Sequence, residues 1–314
     1  MKNKYLPEGM FVKRENNYKH FSSIDALEKA KKEGLILEAR ALMCDSDQNL
    51  IVDLGKYRGV IPRDETQYTF NESQIKDIAI LTRVGKTVCF KIIDIEKRVN
   101  GDIIPILSRR IVQEECYNEY LLNLKSGDVI NSRVTHLESF GAFVDVGCGI
   151  ISMLSIESIS VSRIAHPKDR FEVGQYIKVI VKSPIDKAGR MLLTHKELLG
   201  SWEENASMFS VGETVAGVVR SIEDYGVFVE LTPNLAGLAE YKIGTEVGNY
   251  VAVYIKSIIP EKMKIKLVLV DGGMPDVHMN EIKYFISGEH IREWQYSPSC
   301  CLKEIKTDFT FCND

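Results

Sequence analysis

Leu137-Glu138-Ser139-Phe140-Gly141-Ala142-Phe143-Val144-Asp145-Val146 returns 85 residues later as Ile222-Glu223-Asp224-Tyr225-Gly226-Val227-Phe228-Val229-Glu230-Leu231. The match runs without a gap from residues 126–146 onto 211–231, with Gly127-Asp128-Val129-Ile130 over Gly212-Glu213-Thr214-Val215. Downstream, Val173-Gly174-Gln175-Tyr176-Ile177-Lys178-Val179 lies over Val247-Gly248-Asn249-Tyr250-Val251-Ala252-Val253 at an offset of 74, so the later copy lacks 11 residues of a middle loop. A fainter copy comes first. Ile51-Val52-Asp53-Leu54-Gly55 echoes the Phe143 segment, Val84-Gly85-Lys86-Thr87-Val88-Cys89-Phe90 the Val173 segment, and Leu107-Ser108-Arg109 the string Leu193-Thr194-His195. Self-similarity at a fixed period marks a chain built from one repeated unit.

Each copy holds short Val- and Ile-rich runs separated by Gly-bearing turns. In the middle copy they fall at 129–137, 142–146, 150–155, 176–182 and 190–194. Runs of this length and spacing read as strands. Five of them in about 70 residues are too few for a large sandwich but enough to close a small barrel around one core. The expected fold is therefore mainly β: three tandem five-stranded Greek-key barrels of the OB type, with short connecting helices.

The expected division is an extension with a short helix over 1–33, a divergent first barrel over 34–110, a helical connector over 111–124, a second barrel over 125–199, a connector over 200–209 and a shortened third barrel over 210–271. Ser22 and Ser23 supply a capping signal for the first helix. Ile111, Cys116, Tyr120, Leu121 and Leu124 give the connector at 110–124 one apolar face, and Leu198, Leu199, Trp202, Ala206 and Phe209 do the same for residues 196–209. Beyond the break Asp271-Gly272-Gly273-Met274-Pro275, residues 272–314 read as a small αβ element with strands near 282–286 and 305–309.

Composition narrows the chemistry. The 314 residues carry 40 Lys and Arg against 44 Asp and Glu, a formal net charge of -4, so any contact with nucleic acid must come from local patches. Residues 125–199 hold ten basic against eight acidic side chains and residues 210–271 hold six against eight, which favours the middle copy as phosphate partner. The seven cysteines have no C-x-x-C spacing and the six histidines are scattered, so neither a metal site, a disulfide framework nor a catalytic constellation is expected. Gly147-Cys148-Gly149 has no helix pattern after it and reads as a tight turn rather than a phosphate cradle. No apolar run approaches the ~18 residues of a membrane span, and the first residues lack the apolar core of a signal peptide. A non-catalytic cytoplasmic protein without cofactor, metal or small-molecule substrate is the expectation.

Phe140 and Phe143, and again Tyr225 and Phe228, flank a glycine at i, i+3. On a regular strand the two rings would face opposite sides. A glycine bend at the strand entrance turns both outward, making a platform on which unpaired bases stack at roughly 1–3 kcal/mol each, whatever the base. The competing reading puts both rings in the core, but Ile130, Val134, Val144 and Val146 already supply an interior for so small a barrel.

These strings resemble the ribosomal protein S-one family of RNA-binding OB-fold repeats, over about residues 34–270, and the element order resembles a compact three-repeat Firmicute-type member. The resemblance implies an RNA face of two aromatics, a histidine twelve residues after the second, and a late Asp with a basic residue four further on. The matching positions are Phe140, Phe143, Asp186 and Arg190 in the middle copy, and Tyr225, Phe228 and Lys264 in the third, where Pro260 replaces the acid. The histidine position holds Ser155 and Glu240, and Glu240 would repel phosphate. Arg133, His136, Lys178 and Lys182 are further candidate contacts in the middle copy. With about three phosphates engaged, the salt slope would be shallow, on the order of -2. Copy one has Gln48-Asn49-Leu50-Ile51 in place of the ring pair, and is expected to be structural or to dock on protein. The function implied is binding of single-stranded RNA, messenger RNA in translation, with the small ribosomal subunit or its proteins as partners. The alternative is a scaffold docking on a ribosomal or RNA-degradation protein.

Overall fold

A computed structural model describes residues 4–12, 15–69, 75–98, 101–186, 189–270 and 282–310. Fifteen of its strands close into three barrels. The first holds β1 (Leu37–Cys44), β2 (Leu50–Leu54), β3 (Tyr57–Ile61), β4 (Thr87–Lys97) and β5 (Ile103–Ser108). The second holds β6 (Val129–Glu138), β7 (Gly141–Gly147), β8 (Ile150–Ser155), β9 (Tyr176–Ser183) and β10 (Leu192–Thr194). The third holds β11 (Thr214–Glu223), β12 (Gly226–Thr232), β13 (Leu235–Ala239), β14 (Tyr250–Ile259) and β15 (Lys264–Leu269). All three share one circuit: strands one to three form an antiparallel meander, strand five runs parallel to strand three, and strand four closes the ring against strands five and one. This is the expected OB-type Greek key, three times over.

Alternation fills each interior. Val134, Ala142, Val144, Val146, Val179 and Val181 are buried in the second barrel, and Val219, Val227, Val229, Leu231, Val253 and Ile255 take the matching places in the third. Each Val, Leu or Ile among them stabilises the fold by roughly 1.5–3 kcal/mol relative to exposure.

The connectors are helical but shorter than the sequence pattern suggests. The helix Arg110–Glu119 buries Val112, Gln113 and Cys116, while Ile111 stays half-exposed. Residues 196–209 do not form one helix. A 3₁₀ turn over Lys196–Leu199 stops at Gly200, whose φ of 85° an L side chain resists, and Ser201 caps a new helix, Trp202–Ala206, accepting the Glu204 N–H at 3.2 Å. The helix Ile24–Glu33 begins at Ser23, whose hydroxyl accepts the Ala26 N–H, and ends at left-handed Gly34.

The last segment keeps the expected strand near 305–309 but departs from expectation elsewhere. Its strands are β16 (Glu293–Gln295) and β17 (Lys306–Asp308), paired antiparallel, and the described residues 282–310 contain no helix and no strand at 282–286. An isolated two-stranded ribbon cannot bury enough surface to stand alone. This one instead lies across barrels two and three. The break at 271–275 lies outside the described residues.

The penultimate, acidic position of the repeated string locks the barrels together. Asp145 is buried, accepting the Glu8 N–H at 2.8 Å and the N–H groups of Gly147 and Gly149 at 2.9 and 3.0 Å. Glu8 in turn takes two hydrogen bonds from fully buried Arg109, at 2.7 and 3.2 Å. The equivalent Glu230 receives Arg170 of barrel two at 2.5 Å and Arg220 of its own barrel at 2.9 Å. Arg170 belongs to the 156–175 loop, which is 11 residues longer than its counterpart in barrel three, and Val161 of that loop donates to Asn234 at 3.0 Å. The extra residues are thus the bridge to the next barrel.

Candidate nucleic-acid interface

Phe140 occupies the hairpin turn before β7, and Phe143 points outward from the strand itself. Gly141 between them is required sterically: a Cβ there would lie 2.5 Å from the Leu154 carbonyl oxygen. The chain therefore crosses β8 closely and swings Phe140 over Phe143. Their centroids are 6.0 Å apart with planes at 88°. Tyr225 and Phe228 repeat the arrangement at 6.1 Å and 89°, and Gly226 would meet the Ala239 carbonyl oxygen at 2.6 Å. Phe140 is 53% and Tyr225 70% exposed, while Phe143 and Phe228 are half-buried beneath them.

The register extends the site across the sheet. Phe143 stands between His136 on β6 and Met153 on β8, and Met153 is in turn beside Leu192 on β10. The His136 ring lies 6.2 Å from Phe143, tilted by 32°, so a third ring joins the pair. In barrel three the corresponding row is Ser221, Phe228, Leu238 and Lys266. In barrel one it is Met43, Ile51, Val60 and Ile106, aliphatic throughout. Sequence reasoning passes over Met153, Leu192, Leu238 and Lys266. Alternation marks each as outward-facing, but only cross-strand register sets them beside the rings.

The remaining candidates divide. Arg190 grips Asp186 through Nε at 3.0 Å and a terminal nitrogen at 2.9 Å, at the β9–β10 hairpin two residues before Leu192. Ser155 pairs with Gly141 and its hydroxyl donates to Ser158 at 3.0 Å, close to the ring pair but without an imidazole's reach. Lys264 opens β15, two residues before Lys266, and both are exposed. Arg133 lies at the far end of the barrel: it donates to the Glu8 carbonyl at 3.0 Å and the Gly174 carbonyl at 3.2 Å, and stacks over Tyr176. Lys178 and Lys182 are on β9, two strands from β7, with the Lys178 ammonium over the Tyr284 ring at 5.8 Å. These three are not gathered with the rings.

A cleft of about 1020 Å³ between barrels two and three is lined by Lys168, Arg170, Arg220, Glu230 and Tyr250, but its arginines are committed to Glu230. Among the described residues no group of three His, Cys, Asp or Glu could hold a metal, and the described cysteines are all unbridged. No described helix is long and apolar enough to cross a membrane.

Three closed OB-type barrels, two of them bearing an outward ring pair, define a tandem β-barrel protein. Residues 123–196, the whole of barrel two, match the family model described as S1 RNA binding domain. The chain is 29% identical over 248 residues to the small ribosomal subunit protein bS1 homolog of Bacillus subtilis, covering 78% of this chain and 60% of that protein. It is 31% identical over 234 residues to small ribosomal subunit protein bS1 of Staphylococcus aureus, covering 69% and 57%. The likeness to the S-one family read from the repeats is thus shown, and the chain spans less than two thirds of these relatives' length. A solved multidomain protein with nucleic acid binding domains from Streptococcus pneumoniae aligns over 78% of this chain and 76% of its own at 12% identity, with a TM-score of 0.25, too low to carry an argument.

Proposed function

We propose that this chain is a non-catalytic, cytoplasmic protein that binds single-stranded RNA, messenger RNA in translation beside the small ribosomal subunit. The observation that carries the reading is the repeated ring pair, held open to solvent in the same edge-to-face geometry on two barrels. Unpaired bases stack on such rings without regard to sequence. Phe140, Phe143, Asp186 and Arg190 form the binding group of barrel two, with His136 and Ser155 at its margin; Tyr225, Phe228 and Lys264 form that of barrel three. Barrel one, with aliphatic side chains in place of rings, takes no base. The S1 match over barrel two and the resemblance to bS1 proteins support the same reading.

The test is a titration of fluorescein-labelled oligouridine with wild type and with a Phe140→Ala/Phe143→Ala variant, at about 50 mM salt where phosphate contacts are strong. Wild type binds, and the variant loses roughly 1–3 kcal/mol per stack. Absence of binding by wild type would sink the reading in favour of a scaffold that docks on protein.

A further inference from the structure

The outward faces of barrels two and three share a register but not a chemistry. In barrel two the row beside the ring pair is His136, Phe143, Met153 and Leu192, with Met153 38% and Leu192 53% exposed. Near it, Arg190 is paired with Asp186 and the His136 ring meets Glu138 at 2.6 Å; Lys182, beside the Ser183–Leu192 pair, is matched in barrel three by Lys256 beside the Ser257–Lys266 pair, so it does not set the two faces apart. In barrel three the same row ends in Lys266, with Lys264 two residues earlier on the same outward side of β15, and neither lysine makes an ion pair among the described residues.

We propose that the two barrels grip one strand in different ways: barrel two through an apolar shelf in which Met153 and Leu192 extend the ring pair beneath the bases, and barrel three through Lys266 and Lys264, which take backbone phosphates beside the Tyr225–Phe228 stack. The proposal rests on the single-stranded RNA reading and reverses what the charge counts imply. Those counts sum over whole barrels, whereas affinity for phosphate depends on the cations left free beside the bases.

Distance supports the assignment. Neighbouring strands lie about 4.8 Å apart, so Lys266, two strands from Phe228, has its backbone about 10 Å from the ring's, a span that its flexible stem shortens. Glu240 follows Ala239 on β13, and Ala239 is level with Leu267. The carboxylate is therefore at the level of residue 268, about 13 Å along the sheet from Lys264 at ~3.3 Å per residue. It flanks the phosphate track without neutralising both lysines. In barrel two, Leu192 stands where Lys266 stands in barrel three, and a leucine contributes area under a base but no attraction for phosphate.

The experiment measures the affinity of the full chain for oligouridine, long enough to reach both barrels, from about 50 to 400 mM salt. Replacing Lys264 and Lys266 by Gln lowers the slope of log K against log salt by about 1.4, or ~0.7 per lost phosphate contact. Replacing Met153 and Leu192 by Gln weakens binding about fivefold at every salt concentration and leaves the slope unchanged. All four side chains are exposed, and circular dichroism of each variant checks that the barrels remain folded. If the lysine variant keeps the wild-type slope, or the Met153/Leu192 variant matches wild-type affinity, this division of labour is wrong even though RNA binds. If wild type itself does not bind, the underlying RNA reading has failed instead.

Discussion

His195 shows how one side chain ties the fold to solution conditions. It is fully buried at the end of barrel two, donating from Nδ1 to the Ile159 carbonyl at 2.8 Å and packing edge-on against Phe171 and Tyr284. Burial drives its pKa down to about 4 from the ordinary 6.5. Between these values the unfolded chain takes up a proton that the folded chain refuses, so this residue's contribution to stability falls as pH drops from 6.5 to 4. Asp145 and Glu38, both raised to about 7 chiefly by burial, act in the opposite sense: the folded state holds protons that the unfolded chain has released, and their contribution falls as pH rises from about 4 to 7. Comparison with a variant separates the two. His195→Asn keeps a donor for Ile159 and removes the titration, so urea unfolding from pH 4 to 6.5 gives a stability difference that changes by up to about 1.4 kcal/mol per pH unit. A difference independent of pH would show that the imidazole is not held neutral.

Between residue and barrel, the glycines of the ring pairs carry the most geometric information. Substituting Ala at Gly141 puts a methyl 2.5 Å from the Leu154 carbonyl oxygen, a backbone atom that cannot rotate away. The β7–β8 pairing at Gly141 and Ser155 must open, and with it the hydrogen bond from the Ile156 N–H to the Phe140 carbonyl at 2.9 Å. Gly141→Ala is therefore expected to cost about 1–3 kcal/mol in chemical denaturation and to weaken RNA binding beyond that loss, because Phe140 leaves its position over Phe143. Wild-type stability and affinity in this variant would show that the turn tolerates a side chain.

At the scale of the whole chain, the terminal ribbon acts as a strap. Tyr284 accepts the Lys178 N–H at 3.0 Å, the Phe285 N–H reaches the Leu198 carbonyl at 2.9 Å, and Ile291 donates to Gly127 at 2.9 Å, all on barrel two. On the other side, Tyr296 donates its hydroxyl to the Asn234 carbonyl at 2.6 Å, and Trp294 joins the core of barrel three. Deleting residues 282–314 leaves the barrels joined by the short connector, the Arg170–Glu230 contact and the bonds from Val161 and Ser162 to Asn234 and Pro233. The expected result is a larger radius of gyration in X-ray scattering. Affinity for oligonucleotides long enough to touch both barrels falls toward that of one barrel, while short ones bind as before. An unchanged scattering curve would show that the inter-barrel ion pairs suffice.

The repeats alone determined the barrel count, the strand positions within a residue or two, and the outward ring pairs, because small barrels impose strict alternation and the Phe/Tyr-Gly-x-Phe string repeats its own local bend. Tertiary structure decided the rest. Asp145 and Glu230 read as part of a repeated string, yet their burial depends on Glu8 and Arg170, which are distant in sequence and brought near only by barrel-on-barrel packing. Gly200 split a periodic apolar run that one helix would have satisfied equally well. Met153, Leu192 and Lys266 came to the rings through strand register, which couples residues tens of positions apart and leaves no trace in local spacing. Local sequence fixes which way a side chain points; which neighbours it meets there is set by long-range closure of the sheet.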